Sequence, residues 1–233
     1  MRTRDRLDSI ASLVFVAAAL TIATAAARTA FFPPGGPQGR LLEPEYHEEW
    51  EKWVASGRRF WGDDGALMKI IEFGDFECPY CARFHQDVLQ PFVEHHGDEV
   101  QVTFVHLPLR NHRFARPAAI AAECAAQQGR FSSFIELVLE KRDSIGLKTW
   151  ESYADEAGVE DTTQFAACTA NSDSVGLQVD RGLELASGAG ISGTPTIVVN
   201  GWRLPTPPTL SELESMLDRI LSGADPVQVT SIR

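Results

Sequence analysis

Residues 67–81, LMKIIEFGDFECPYC, decide the fold. The apolar run LMKIIEF predicts a short buried strand, and CPYC places two cysteines immediately after it. Residues 82–94 then carry apolar side chains at helical spacing, with Pro91 expected to kink the helix. Residues 100–107, VQVTFVHL, alternate as a second strand. A strand, a helix and a strand at this spacing predict a βαβ unit with a parallel pair of strands.

The two cysteines, Cys78 and Cys81, form a C-x-x-C motif at the junction of strand and helix, which is typical of redox chemistry. Pro79 suits the first helical position because its missing N–H is not needed there, so Cys78 takes the cap position. Free N–H groups and the helix dipole favour a thiolate on Cys78. Cys81 lies one turn deeper on the same face. We therefore predict Cys78 as the nucleophile and Cys81 as the resolving thiol.

Two titratable residues near the motif could tune it. Glu72 lies on the predicted strand among apolar residues, and it could accept a proton during exchange if buried; the alternative is a carboxylate that faces solvent. His85 follows Cys81 by four residues and could also tune the pair, but the sequence favours a surface histidine.

Half of a zinc site is a competing interpretation of the cysteine pair. The histidines that could complete it are His95, His96 and His106. The chain has no second C-x-x-C and no H-x-x-x-H, so this interpretation is disfavoured. We expect neither a metal nor a cofactor.

The first 29 residues form a predicted targeting element rather than part of the fold. Three arginines precede an apolar stretch at residues 10–27. As a helix this stretch would span roughly 27 Å, slightly short of a bilayer core of about 30 Å. A membrane anchor and a cleaved signal peptide both remain open. Either one places the rest of the chain outside the cytoplasm, in the periplasm or cell envelope.

Residues 30–64 are predicted to contain a linker and an amphipathic helix. FFPPGGPQG, at residues 31–39, is rich in Pro and Gly and cannot sustain regular structure. Tyr46, Trp50 and Trp53 then fall on one face of a helix whose other face is charged. Packing of this aromatic face on its own domain is favoured over docking to a partner.

The remainder completes a predicted domain at residues 65–224 with a tail at 225–233. Residues of about 114–176 are rich in helix-forming residues and predict an all-helical insertion. A third strand is expected at 196–200, followed by a hairpin turn at Asn200-Gly201. Further along, Thr209 and Glu212 form a capping box, so a closing amphipathic helix should begin there.

Cys124 and Cys168 lie on predicted helices of the insertion. A bridge between them would close a loop of about 45 residues, which chain-entropy arguments value at about 4 kcal/mol. A structural disulfide is favoured over two free buried thiols, because the expected compartment is oxidising.

Composition and charge exclude several classes of function. The chain has 233 residues, of which 44% are hydrophobic, so it can build a core. Its net charge of −11 leaves no basic excess to neutralise phosphate. Binding to nucleic acid is therefore not expected.

These motifs resemble those of the DsbA-like thiol:disulfide oxidoreductases of bacterial envelopes. The resemblance rests on IIEFGDFECPYCARFH, VTFVHLPLRNH, AAIAAECAAQQGRF, FAACTA and GISGTPTIVVNG, and it covers residues 65–221. It implies an α/β thioredoxin fold with an inserted helical subdomain. Cys124 and Cys168 match a second cysteine pair found in part of the family.

The same resemblance implies further site residues. Pro195 should be preceded by a cis peptide bond, and Thr194 should flank the cysteine pair and help bind an extended substrate, together with Pro79 and Tyr80. Glu72 matches the buried acidic position of the family. The lysine that sometimes accompanies that acid has no counterpart here, and Tyr80 stands where the strongest oxidants often carry His.

The leading hypothesis is therefore an exported enzyme that donates the Cys78–Cys81 disulfide to reduced envelope proteins. A quinone-linked membrane partner would reoxidise it, and the catalytic domain is expected to be monomeric. The alternatives are an envelope reductase or isomerase of the same fold, and a non-catalytic module that binds a partner protein.

Overall fold

Six strands form one mixed sheet in the computed structural model, which describes residues 43–228. The strands are β1 Glu45–Tyr46, β2 Arg58–Trp61, β3 Met68–Gly74, β4 Val100–His106, β5 Thr196–Val199 and β6 Trp202–Arg203. Their order across the sheet is β1-β6-β5-β3-β4-β2. β3 and β4 run parallel, as the βαβ pattern predicted, and every other neighbouring pair is antiparallel.

Nine α-helices surround the sheet in this part of the chain. They are α1 Trp50–Ser56, α2 Pro79–Phe84, α3 Gln90–His96, α4 Ala115–Ala126, α5 Phe131–Glu140, α6 Trp150–Glu156, α7 Thr162–Ala170, α8 Asp173–Gly188 and α9 Leu210–Leu221. Helices α4 to α7 lie within the expected insertion at about residues 114–176, and α8 begins at its end and continues to Gly188. The predicted α/β fold with an inserted helical subdomain is confirmed.

β3 lies inside the sheet, between β5 and β4, and it is buried on both of its faces. Ile70 belongs to the large core on the side of α2, α4 and α9, whereas Ile71 and Phe73 belong to a smaller core under α1 and α8. A strand buried on both faces has a continuous apolar run in its sequence. The carboxyl end of β3 therefore delivers the following residues to the edge where α2 begins.

The helix after the cysteine motif is interrupted rather than simply kinked. A π-helical turn at His85–Leu89 joins α2 to α3, and Pro91 lies directly after it. In a regular α-helix the proline ring would clash with the carbonyl of Asp87. The wider turn relieves that clash and lets the helix continue to His96.

The segment before residue 65 differs from the expectation. Tyr46 lies in β1, half-exposed, and the helix begins only at Trp50, so the aromatic residues do not share one helix. Trp53 packs on the domain itself, edge-on to Phe73 at 5.5 Å between ring centroids. Because β1 pairs with β6 and β2 pairs with β4, the expected boundary at residue 65 falls inside the folded unit.

Two local signals in the C-terminal part form as predicted. Asn200 and Gly201 both have positive φ, 44° and 87°, and make a tight hairpin turn between β5 and β6. Thr209 and Glu212 form a reciprocal capping box at the start of α9.

Helix α8 lies unusually close to β4. A Cβ atom on Gly182 would lie 2.2 Å from the carbonyl oxygen of His106, so only glycine fits at this contact. The same helix ends at Gly188, six residues before Thr194. α8 therefore connects the helical insertion to the loop that carries Thr194 and Pro195.

Several expectations concern residues at the chain ends. None of the helices within residues 43–228 is long and apolar enough to span a membrane. The predicted targeting element at residues 1–29 lies outside the described residues. Of the expected tail, Val227 is buried, and the Arg219 side chain donates hydrogen bonds to the carbonyls of Asp225 and Val227.

Candidate functional site

Cys78 and Cys81 lie where β3 passes into α2. Cys78 is the cap residue, with extended backbone angles, and Pro79 occupies the first helical turn. The turn is fixed because the Cys78 N–H donates to the carbonyl of Asp75 at 3.1 Å. Both cysteines are free thiols and both are buried, with exposed fractions of 4% and 0%.

The surroundings of the Cys78 sulfur favour its thiolate form. A hydrogen bond from the Cys81 side chain is the largest cause, and it lowers the pKa of Cys78 to about 5, against the opposing effect of burial. The hydroxyl of Thr194 and the N–H groups of Cys81 and Tyr80 lower this pKa further.

The Cys81 sulfur has the opposite character. Burial raises its pKa well above the ordinary value, and the hydrogen bond with Cys78 and the negative charge of Glu72 raise it further. The N–H of Asp75 points at this sulfur from 3.5 Å. At neutral pH the pair therefore consists of one thiolate and one thiol, which differ in both exposure and reactivity.

The loop before β5 closes the site from the other side. The peptide bond between Thr194 and Pro195 is cis, and the carbonyl oxygen of Thr194 lies 3.3 Å from the Cys78 sulfur. These residues are 116 positions apart in sequence, so tertiary structure alone brings them together. Tyr80 is 62% exposed, with the guanidinium of Arg83 over its ring at 4.7 Å.

Glu72 lies on β3 behind the cysteines and is fully buried. One carboxylate oxygen, Oε2, is 2.6 Å from Nε2 of His85, and the other, Oε1, has no partner among the described residues. The expectation of a surface histidine is wrong: His85 is buried. It lies four residues after Cys81, and therefore on the same inward face of the helix.

Asp75 holds several groups of the site together, and the sequence analysis did not identify it. Its Oδ1 accepts the N–H of Glu77, and its Oδ2 accepts the N–H of Leu109 and Nδ1 of His112, each at 2.8 Å. Because the backbone of Asp75 also contacts both cysteines, this one residue joins the motif to the β4–α4 connection. An Asp two residues before Glu77 is an Asx-turn signal that could have pointed to it.

A second buried carboxylate, Glu123 on α4, was also missed. It accepts hydrogen bonds from Nε and a terminal nitrogen of Arg58, and from Nε2 of His106 at 2.9 Å. Burial alone would raise the pKa of Glu123, but the hydrogen bonds and charges of His106 and Arg58 outweigh burial and lower it.

The histidines considered for a zinc site make contacts with other groups. His106 is engaged with Glu123, and His95 contacts the carbonyl of Pro91. Within residues 43–228, no group of three or more His, Cys, Asp or Glu side chains is placed to hold a metal ion.

The second cysteine pair is already bonded. Cys124 on α4 and Cys168 on α7 form a disulfide with a Cα–Cα distance of 5.8 Å across 44 residues of sequence. It joins two helices of the insertion. The described part of the chain thus contains one disulfide and one dithiol.

Comparison with known proteins gives the family and the fold. A family model described as thioredoxin matches residues 55–219. Among solved structures, oxidised BdbD from Bacillus subtilis is 22% identical with a TM-score of 0.64, over 73% of this chain and 95% of that one. A thioredoxin-like oxidoreductase from Silicibacter pomeroyi is 24% identical with a TM-score of 0.64, over 76% and 99%. At these identities the likeness shows the fold.

Curated relatives match the chain over only part of their length. A protein named Na(+)/H(+) antiporter NhaA 3 from Salinispora tropica is 32% identical over 164 residues, which is 70% of this chain and 24% of that protein. A protein named Na(+)/H(+) antiporter NhaA 1 from Mycolicibacterium gilvum is 35% identical over 61% of this chain and 23% of its own length. The chain thus spans about a quarter of these relatives.

Proposed function

Because this chain belongs to the thioredoxin family and has the DsbA-like form of its fold, we propose that it donates the Cys78–Cys81 disulfide to proteins outside the cytoplasm. The observation that carries the proposal is the division of the pair into a Cys78 thiolate, with a pKa of about 5, and a buried Cys81 thiol. A stabilised thiolate stabilises the reduced form and makes the disulfide more oxidising.

The size of this effect at neutral pH follows from the pKa. An ordinary cysteine thiol has a pKa of 9.0 and is protonated at pH 7, whereas Cys78 is ionised. Only the part of the pKa shift below pH 7 counts, about two units, which corresponds to roughly 60 mV in a two-electron couple. That contribution moves the pair in the direction of a disulfide donor.

The exchange reaction proceeds in two steps. A client thiolate attacks Sγ of Cys78 in the oxidised enzyme, the bond between the two enzyme sulfurs breaks, and Cys81 leaves with the electron pair. Cys81 then takes up a proton, for which we propose the buried Glu72–His85 pair as the source, since the Glu72 charge acts on Cys81. A second client thiolate attacks the client sulfur, and Cys78 leaves as a thiolate. The client loses two electrons, and the enzyme becomes a dithiol.

Substrate binding is assigned to the residues around Cys78. The carbonyl of Thr194 lies 3.3 Å from the Cys78 sulfur, and Pro195 fixes the chain direction there. An extended client segment would lie along this loop. Pro79 and Tyr80, which directly follow Cys78 in the chain, have exposed side chains that a client could also contact.

The proposed compartment is the periplasm or cell envelope. The arginines and the apolar stretch in residues 1–29 support export, either as an anchor or as a cleaved signal. The Cys124–Cys168 disulfide is a bond that oxidising compartments preserve. The clients are reduced, folding envelope proteins, the reoxidant is a quinone-linked membrane protein, and the catalytic domain acts as a monomer.

The test uses the full chain and a reduced, unfolded protein that needs disulfides. Cys78→Ala should abolish oxidation of this client, whereas Cys81→Ala should accumulate a mixed disulfide through Cys78. The matched control is Cys124→Ala combined with Cys168→Ala, which should retain exchange. Oxidation at the wild-type rate by Cys78→Ala would show that the assignment is wrong.

The reduction potential separates a donor from a reductase. We expect a value near or above about −180 mV in glutathione buffers, as for enzymes that introduce disulfides. A value near about −270 mV would instead indicate a reductase that needs an electron supply.

A further inference from the structure

Cys81 and Glu72 are both closed off from water, although the exchange reaction moves a proton on and off Cys81. Each of the two residues has an exposed fraction of 0%. Burial raises the pKa of the Cys81 thiol, and the negative charge of Glu72 also raises it, so the two groups act on each other. These two groups alone give the proton no route to solvent.

His85 is the side chain that contacts Glu72. Its Nε2 is 2.6 Å from Oε2 of Glu72, and its other ring nitrogen, Nδ1, makes no hydrogen bond within residues 43–228. An imidazole that receives a proton on one nitrogen can release a proton from the other. His85 therefore has a second nitrogen through which a proton taken from Glu72 can leave.

The imidazole of His85 lies among aromatic side chains. The ring centroids of Phe60, Phe84 and Phe104 are 5.3, 6.4 and 6.3 Å from the centroid of the imidazole. Phenyl rings pack against the imidazole but neither donate nor accept a titrating proton. The partners of His85 for proton exchange are therefore the carboxylates around it.

The π-helical turn at His85–Leu89 is attached to helix α5. The side chain of Gln86 donates a hydrogen bond to the carbonyl of Leu139 on α5 at 3.3 Å. Near the other end of α5, the Ser132 hydroxyl donates to the carbonyl of Phe60 at 2.7 Å, and the Phe60 ring contacts the imidazole. α5 is therefore fixed beside His85 at two points.

Glu136 lies on α5 between these two points, one turn after Ser132 and on the same side of the helix. Its side chain is only partly buried, so it reaches water. Burial raises the pKa of Glu136, a protonated His85 opposes that rise, and the negative charge of Glu94 adds to it. Glu136 therefore interacts electrostatically with His85, and its raised pKa suits exchange of protons with water.

We propose that His85 and Glu136 form a proton relay that connects the buried Glu72 carboxylate with solvent. The inference rests on the proposed function, because it concerns the proton of the same exchange reaction. His85 and Glu136 act on the reaction only through Glu72. The relay assigns a role to Glu136, a residue that lies 55 positions after Cys81 and far from the cysteine motif in sequence.

The steps of the relay can be written for the attack of Cys81 on a mixed disulfide at Cys78. The S–H bond of Cys81 breaks, and the proton forms an O–H bond on Glu72. The Cys81 sulfur bonds to the Cys78 sulfur, and the partner sulfur leaves with the electron pair. Glu72 passes its proton to Nε2 of His85, and Nδ1 releases a proton to Glu136, which gives it to water. When Cys81 is the leaving group, the path runs in reverse.

The experiment follows oxidation of the reduced full chain by excess glutathione disulfide after rapid mixing. Acid-quenched samples are analysed by mass, which separates the dithiol, the mixed disulfide with glutathione and the enzyme disulfide. The first phase is attack by the Cys78 thiolate, which needs no relay, so it is an internal control. The second phase is attack by Cys81, which releases the proton that the relay carries.

Variants along the proposed path should slow only the second phase. His85→Gln keeps a hydrogen-bonding side chain beside Glu72 but cannot pass a proton on, so in weak buffer at neutral pH it should slow this phase by about tenfold. Glu136→Gln should slow it by about threefold, and Glu136→Asp should keep most of the rate. The matched control is Glu140→Gln, which removes the same charge from an exposed position one turn further along α5 and should keep the wild-type rate.

Added buffer distinguishes a relay from a structural role. Imidazole in solution can take up a proton where Glu136 reaches the surface, so a higher imidazole concentration should restore the second phase of Glu136→Gln. The same addition should not restore His85→Gln, because position 85 is only 5% exposed. A loss of structure in either variant would not respond to buffer in this way.

Each outcome has a distinct meaning. A wild-type second phase in His85→Gln or in Glu136→Gln would overturn the relay and leave the proposed function intact. A slowing of Glu136→Gln that imidazole does not relieve, or an equal slowing of Glu140→Gln, would also overturn it. If the wild-type disulfide, once formed, is not transferred to a reduced client protein, the proposed function itself fails.

Discussion

Glu72 and Glu123 are the two fully buried glutamates of the described chain, and they differ in what surrounds them. Each contacts one histidine, at 2.6 Å and 2.9 Å respectively. Glu123 is also held by the guanidinium of Arg58, so both of its oxygens are engaged. Glu72 has no such cation, and its Oε1 has no partner within residues 43–228.

We propose that the difference separates a structural acid from one that takes part in proton transfer. A buried carboxylate that is paired with arginine is costly to disturb, and the arginine charge opposes uptake of a proton. A buried carboxylate with a free oxygen, whose charge affects a nearby thiol, is able to accept one. Burial alone would not have distinguished the two.

The largest expected effect concerns stability. Arg58→Ala leaves Glu123 buried with only His106, which should lower the free energy of unfolding by about 2 to 3 kcal/mol. The value is below that of a fully buried pair because the Arg58 side chain is 44% exposed. Denaturant unfolding measures it.

The control for that prediction is the neighbouring arginine. Arg59 pairs with an exposed aspartate, Asp64, so Arg59→Ala should cost less than about 1 kcal/mol. Equal losses for the two variants would mean that the Arg58–Glu123 pair has no special structural role.

The next effect concerns rate. Glu72→Gln should slow attack of Cys81 on a mixed disulfide at Cys78 by about tenfold or more near neutral pH, because it removes the carboxylate proposed to accept the Cys81 proton. Glu123→Gln should leave this rate within about twofold. Rapid-mixing kinetics with a preformed mixed disulfide give both numbers. A similar slowing in both variants would contradict the proposed difference between Glu72 and Glu123.

A smaller effect concerns acid stability. The pKa of Glu123 is lower in the folded protein than its ordinary value of 4.5, so its contribution to stability is present above that pH and is lost as the pH falls through the lower, folded pKa. Wild type should therefore lose more free energy of unfolding than Glu123→Gln between about pH 5 and about pH 3. Parallel pH profiles would contradict this.

The smallest expected effect is that of Glu72 on the pKa of Cys78. Alkylation of Cys78 in the reduced protein should rise with pH about a midpoint near 5, because the thiolate is the reactive species. The midpoint should be the same in Glu72→Gln, since Cys81, Thr194 and backbone N–H groups set this pKa. A large shift would show that Glu72 acts on Cys78 as well as on Cys81.

The elements that the sequence predicted well are those with local signals. β3, β4 and β5 have apolar runs, the hairpin has Asn200-Gly201, and α9 has its capping box. The CPYC motif is also a local signal, and it marks the two candidate redox cysteines. In each of these the determining residues are neighbours in sequence.

The missed elements depend on distant partners. β2 is a strand because its backbone pairs with β4, which lies about 40 residues later and whose position no local pattern in β2 reveals. Arg58 and Glu123 are 65 residues apart, and the contact of Cys78 with Thr194 spans 116. The position of Thr194 beside Cys78 came from family resemblance, because periodicity and spacing carry no information about it.

The close contact of Gly182 with His106 has an evolutionary consequence. The contact fixes α8 against the sheet before the Thr194 loop begins. We therefore expect homologues to tolerate changes of length in α4 to α7 without losing alignment of the cis-proline with the cysteines. Selection would then hold position 182 to glycine while the neighbouring helices diverge.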